Sequence, residues 1–350
     1  MNTNLNQNDT RNDYTEEISL QDLFMALWRQ KILIIAVTLI TALVAGIISM
    51  FVLKPVYHAK LNIIMNMPEI HHTKYGDYAL PISTNEQYIN LITSNDILSN
   101  TILDMEYNPG EITIESLRDR ISITQTDSKN MVQNSFEIKV SAGNPEDARK
   151  LAHTLYRNYV EFLDVMVAEG ATTYFSSYYG VELRALQVEL ESNKALLEKN
   201  IELLNDTPKT INQKEALDTI LSPGNTTDFI IMENIINPNY TAVELDIINI
   251  KQTINSIESS MNQYNIYLDE LAAKQAEIDK YYETGEFTEL KSKIVRITKS
   301  NIYLPSDPVA PSRKTSPSNS KNIMIGALLG GMVSVLIAFI KEFWFKKDMK

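Results

Sequence analysis

Two long apolar runs bracket a chain whose middle changes from strand-like to helix-like spacing. Ile32 to Leu53 carries no charge between Lys31 and Lys54. As a helix it reaches roughly 33 Å at about 1.5 Å per residue, enough to cross a bilayer core. Ile323 to Ile340, between Lys321 and Lys341, is shorter, and Phe343, Trp344 and Phe345 follow it as an aromatic interfacial anchor. These patterns predict transmembrane helices over 32–53 and 323–340. The first run exceeds the apolar region of a signal peptide, about 7–15 residues, and no small-residue cleavage pattern follows it, so it reads as an uncleaved anchor.

Past the first span, Val56 to Met67 alternates loosely and predicts a strand, as does Ser135 to Ser141. Ile121 to Gln125 and Lys293 to Ile297 are weaker strand candidates, the latter returning from the far end of the chain. Helical spacing covers Asn85 to Met105 and Ile114 to Asp119. Together these predict a small α/β base.

Asn144 can cap a helix that Pro145 begins, with Glu146 and Asp147 at its positive end. Ala148, Leu151, Leu155, Tyr159, Phe162 and Met166 form its first stripe. Gly170 and Gly180 are candidate bends. Leu183, Leu186, Leu190, Asn193, Leu197, Asn200 and Leu204 then recur at spacings of three and four, the two Asn reading as register-setting positions in an apolar seam. The clearest seam runs through Val243, Ile247, Ile250, Ile254, Ile257, Met261, Tyr264, Leu268, Leu271, Gln275, Ile278 and Tyr282. It predicts a helix roughly 65 Å long. Pro208, Pro223-Gly224 and Pro238 place a distal tip near 205–238.

The reading is an α+β membrane protein. Residues 1–31 form a cytoplasmic tail, 32–53 the first span and 54–143 the membrane-proximal base. Residues 144–292 form long coiled-coil-like helices, 293–322 a returning strand and proline-rich connector, 323–340 the second span and 341–350 a second cytoplasmic tail. Orientation rests on the basic residues near the span ends: Arg29 and Lys31 against Lys54 and Lys60, and Lys341, Lys346, Lys347 and Lys350 against Arg313, Lys314 and Lys321. The compact basic tail favours the cytoplasm and leaves the bulk of the chain outside.

The net charge of −12, without a Lys/Arg cluster beyond the membrane flanks, argues against a nucleic-acid partner. Cysteine is absent, so the outer domain rests on apolar packing and assembly. Neither a G-x-S-x-G, an H-E-x-x-H nor a phosphate-loop pattern occurs, so no catalytic, cofactor or metal residues are expected. His71 and His72 are adjacent, without the i, i+4 spacing that converges two imidazoles, and read as a solvated loop. Glu189 and Glu191 flank the helix seam as solvated charges. Tyr174, Phe175, Tyr178 and Tyr179 could stack on sugar rings, but helix-junction or subunit packing is favoured. Gly326 and Gly330, with Ser334 four residues on, permit close helix approach in lipid.

Pro305, Pro308, Pro311 and Pro317 make Leu304 to Ser318 a stiff extended connector. Pro308-x-x-Pro311-x-x-x-x-Ser316-Pro317, followed by a glycine-bearing span, resembles the proline-rich signature of bacterial polysaccharide co-polymerases, the chain-length determinant family. Ile18-Ser-Leu-Gln-Asp-Leu-Phe leading to Leu27-Trp28-Arg29, Pro55-x-Tyr57-x-Ala59, and Asn144-Pro145-Glu146-x-Ala148 extend the resemblance along nearly the whole chain. Ser318 and Ser334 stand where the family pattern usually has Lys and Gly.

The resemblance implies a protein without catalysis of its own in a bacterial inner membrane. It implies a ring-like homo-oligomer that works with an integral membrane polysaccharide polymerase on lipid-linked polysaccharide, of O-antigen or capsule type, and controls its length. Three other readings remain open: an export adaptor that activates a polysaccharide tyrosine kinase, a sensor ectodomain, and a coiled-coil envelope adaptor. The short segments outside the spans predict neither a kinase nor an output domain.

Overall fold

The computed structural model describes residues 20–108, 110–125, 134–212 and 234–344. A short helix α1 (Leu20–Arg29) leads into α2 (Lys31–Ile47), which continues as a widened π turn over Ile48–Val52. Among the described residues, it and α10 (Asn319–Phe343) are the two helices long and apolar enough to cross a membrane. Leu39, Leu43, Leu328 and Leu336 are each about 60% exposed. A continuous apolar surface of this kind suits lipid rather than water.

Strand β1 (Tyr57–Met65) follows the first span because its alternation is nearly perfect: Ala59, Leu61, Ile63 and Met65 are buried, while Lys60, Asn62 and Ile64 face out. A hairpin, β2 (Ile70–Thr73) and β3 (Gly76–Ala79), comes next, then α3 (Asn85–Asn90), α4 (Asn95–Asp104) and α5 (Ile114–Arg118). Strands β4 (Ile121–Gln125) and β5 (Ser135–Ala142) are antiparallel, and β5 pairs with β1 in the register Leu61↔Ile138. Phe136, Ile138, Val140 and Ala142 point the same way as the buried face of β1. Over this face lie α4 and the start of α6 (Pro145–Asp206), whose Leu151, Leu155 and Tyr159 complete the core.

Helix α6 runs unbroken for 62 residues, about 90 Å at the α-helical rise. Asn144 caps it as expected, its Oδ1 accepting from the Asp147 amide at 2.8 Å. Gly170 and Gly180 do not interrupt it; at Gly170 the absent Cβ makes room for the Tyr78 hydroxyl. Short strands β6 (Thr210–Ile211) and β7 (Ile235–Ile236) pair antiparallel and reverse the chain. The expected tip, with Pro223-Gly224, falls largely on residues 213–233, outside the described residues. Helix α7 (Pro238–Thr284) packs back along α6 and ends at Gly285, whose φ of 71° lies in the left-handed region that glycine favours.

The returning chain differs from expectation. Lys293 to Ile297 is not a strand: α8 (Phe287–Lys293) ends there, and α9 (Thr298–Asn301) follows. Leu290 and Ile294 are buried against Val165 of α6 and Ile278 of α7, which draws this stretch onto the long helices rather than into the sheet. The fourth strand is β8 (Ile302–Tyr303), antiparallel to β1 through Ile64↔Tyr303, giving the order β4-β5-β1-β8. It does come from the far end of the chain, a few residues later than the pattern suggested.

Candidate functional site

Without catalytic motifs, the features to place are the span contact, the proline-rich connector, the helix seam and the aromatic set. The span contact is made within one chain. Gly326, Gly330 and Ser334 share a face of α10, with Gly330 and Ser334 buried. A Cβ on Gly326 would lie 2.5 Å from that of Ala45 and 3.1 Å from the Thr41 carbonyl oxygen. At Gly330 the space is taken by the Thr41 hydroxyl, which donates to the Val37 carbonyl at 2.9 Å. With apolar attraction between helices weak in lipid, such close backbone contact is what holds the pair together.

Both ends of this pair carry polar clasps. Ser49 is buried; its Oγ donates to Asn319 Oδ1 at 3.1 Å and accepts from Asn322 Nδ2 at 2.9 Å. Lys314 Nζ reaches the same Asn319 oxygen at 3.1 Å. At the opposite end Arg29 pairs with Glu342 at 3.0 Å. Sequence reasoning missed Thr41 and Ser49. Their signal was present, since a hydroxyl inside an otherwise apolar span needs a partner there.

The connector is clipped to the exit of the first span. The Val56 amide donates to the Ser316 carbonyl at 2.8 Å, and the Thr315 amide donates to the Val56 carbonyl at 2.8 Å. The Ser316-Pro317 peptide is cis. Pro308 and Pro317 are buried, Pro311 is half-buried and Pro305 is exposed. Thus the Pro55-x-Tyr57 and Ser316-Pro317 segments, far apart in sequence, meet at the membrane-side edge of the base.

Farther up, Asp164 on α6 is fully buried. Its carboxylate accepts from Arg296 Nε at 2.8 Å and from the Thr298 amide and hydroxyl at 3.0 and 2.9 Å. This ties the returning chain to α6, and no periodicity marked it in advance. In the α6/α7 seam, Ile247, Ile250, Ile254, Ile257 and Leu271 are buried, and Met261 and Leu268 are half-buried. Asn193 turns back to its own helix, donating to the Glu189 carbonyl at 2.9 Å rather than across the seam, so it sets no register.

The aromatic set divides. Phe175 and Tyr179 are buried with Tyr75 and Leu271, and the Tyr179 hydroxyl donates to the Tyr75 carbonyl at 2.5 Å. Tyr174 and Tyr178 remain nearly half exposed, their rings 6.4 Å apart and within 12° of parallel. Beside them the β2–β3 hairpin, which sequence reasoning took as a loop, sets His71 opposite Tyr78. His72 Nδ1 lies 2.7 Å from Asp77 Oδ1. The turn needs Gly76, at φ 131°. Lys74 Nζ approaches Glu270 on α7 at 2.6 Å, and this hydrogen bond holds the Glu270 carboxyl below its ordinary value.

The spans, the start of the base and the connector thus form one membrane-anchored unit, and its first part is what known proteins share. Residues 16–105 match the Wzz family, chain length determinant protein. The resemblance read from the sequence is found in the segment that holds the first span, β1 and the hairpin. Over 144 residues the chain is 28% identical to capsular polysaccharide biosynthesis protein CpsC of Streptococcus pneumoniae, covering 40% of this chain and 60% of that protein. Over 146 residues it is 29% identical to probable capsular polysaccharide biosynthesis protein YwqC of Bacillus subtilis, covering 40% and 54%. The matches therefore span little more than half the length of these relatives. Among solved structures, a full-length bacterial polysaccharide co-polymerase is similar over 95% of this chain and all of that one, with TM-score 0.46 and 16% identity. The Shigella flexneri O-antigen chain-length regulator WzzBSF is similar over 73% and 99%, with TM-score 0.30 and 12% identity.

Proposed function

We propose that this chain is a non-catalytic regulator of surface polysaccharide length, acting as a homo-oligomer beside an integral membrane polymerase that extends a lipid-linked polymer. The observation that carries the reading is the Wzz match over residues 16–105. The paired spans add support, because a regulator without chemistry must act by binding and positioning at the membrane. The proline-rich residues Pro305, Pro308, Pro311, Ser316 and Pro317 hold the base at a fixed place above the span pair. Gly326, Gly330 and Ser334 hold the spans together. The seam from Ile247 to Leu271 keeps the long helices upright as the body through which copies associate. Both termini lie in the cytoplasm and the base and helices outside.

The test is electrophoresis of polysaccharide from cells lacking the gene. Synthesis continues but the lengths scatter; unchanged lengths overturn the reading. Light scattering of the purified chain gives the mass of an oligomer, and a monomer overturns the ring. A Cys at Glu202 reacts with an impermeant thiol reagent on intact spheroplasts, and one at Leu20 does not. The reverse labelling inverts the topology.

A second reading, equally compatible with two relatives named as capsular polysaccharide biosynthesis proteins, is an export adaptor that works with a tyrosine kinase. Complete loss of surface polymer on deletion, in place of scattered lengths, selects it.

A further inference from the structure

A groove of about 1010 Å³ opens where the base meets the long helices, bounded by α4, α6, the end of α7 and α8. It lies apart from the span contact, the connector and the exposed Tyr174–Tyr178 pair. Its volume is at the top of the roughly 300–1,000 Å³ range of ligand sites.

Its chemistry is specific. Four half-buried rings, Tyr156 and Phe162 on α6, Tyr281 on α7 and Phe287 on α8, supply flat apolar surface. Asn100 on α4 and Thr288 on α8 add an exposed amide and hydroxyl at the rim. Arg157 pairs with Asp104 at 2.6 Å and Arg296 with the buried Asp164 at 2.8 Å, while Lys291 lines the groove together with the acidic Asp96 and Glu286. Burial raises the Glu161 carboxyl, which is hydrogen-bonded to Tyr281. The arginines are thus paired, Asp96 and Glu286 set negative charge against that of Lys291, and the groove disfavours an anion, as its polar rim disfavours a purely apolar guest. Aromatic faces beside hydroxyl and amide groups suit a ring with apolar C–H faces and a hydroxyl-bearing edge.

We propose that this groove binds a short segment of neutral oligosaccharide, stacked against Tyr156 and Tyr281 and hydrogen-bonded at its edge by Asn100 and Thr288. The proposal rests on the chain-length reading and deepens it, since a subunit that holds polymer at a fixed height above its spans has a physical means of sensing length.

The test uses the full chain in lipid nanodiscs and saturation-transfer NMR with short neutral oligosaccharides of hexose and N-acetylhexosamine. Sulfated heparin oligosaccharides serve as the anionic counter-probe. The neutral probes bind, and Asn100→Trp, which fills the groove from an exposed position, weakens binding at least tenfold while leaving the melting midpoint and oligomeric mass unchanged. Tyr156→Ala does the same, and if it fails to fold, Asn100→Trp decides. Absent binding, binding indifferent to Asn100→Trp, or preference for the sulfated probe each overturns the proposal. A fall in oligomeric mass with Asn100→Trp also overturns it, by making the groove a face between copies. If deletion scatters polymer lengths while the nanodisc chain binds no neutral oligosaccharide, the groove proposal fails and the chain-length reading stands.

Discussion

The Thr41 hydroxyl occupies the space that a side chain on Gly330 would need, so the two spans meet there with only the Thr41 side chain between their backbones. The contact is fixed at three successive turns of α10, through Gly326, Gly330 and Ser334.

Gly330→Ala overpacks this contact, at a cost of about 1–3 kcal/mol. Because the protein has no cysteine, Gly46→Cys with Ile323→Cys reports the pairing by disulfide formation; a Cβ at Gly46 lies 3.1 Å from Ile323 Cγ1. Cross-linking is efficient in the parent, falls with Gly330→Ala, and returns when Thr41→Gly is added. Unchanged cross-linking with Gly330→Ala refutes the close contact.

The two glycines of α6 respond oppositely to alanine. At Gly180 an added Cβ meets nothing within 4 Å, so Gly180→Ala stabilises the helix by about 0.5–1 kcal/mol. At Gly170 it collides with the Tyr78 hydroxyl, so Gly170→Ala destabilises by about 1–3 kcal/mol. Tyr78→Phe restores most of that loss. Denaturant titrations measure all three, and equal effects at both glycines refute the account.

Arg296 is the charged partner of a carboxylate with no access to solvent. Arg296→Met leaves Asp164 with only the Thr298 amide and hydroxyl, and costs about 3–5 kcal/mol. Asp164→Asn costs less, because its amide oxygen still accepts from Thr298. A smaller loss for Arg296→Met than for Asp164→Asn reverses the argument.

Burial is the leading influence on Glu161 and outweighs the hydrogen bond with Tyr281, so its carboxyl titrates above the ordinary value in the folded chain. A raised folded value means that stability is full below the unfolded value, about pH 4, and is lost as pH rises through the folded value. Glu161→Gln carries no such penalty. Its melting midpoint equals the parent's near pH 4 and exceeds it at pH 7; a lower midpoint at pH 7 shows that the hydrogen bond outweighs burial.

By itself the sequence determined whatever depends on neighbours along the chain. Uncharged runs fixed the spans, because hydrocarbon tolerates no break in apolar character over that length. Alternation fixed β1 and β5, and the Asn144-Pro145 cap with spacings of three and four fixed the long helices. Tertiary structure decided whatever depends on residues far apart. It placed the fourth strand at Ile302–Tyr303, because Leu290 and Ile294 were drawn against Val165 and Ile278 of the long helices. It turned Gly170 from a bend into a socket for Tyr78, and directed Asn193 to its own helix. It joined Ser316 to Val56, Thr41 to Gly330, and Asp164 to Arg296. A side chain's own period reveals which face is buried, but its partner is chosen by the three-dimensional path of the whole chain, and no local pattern records that path.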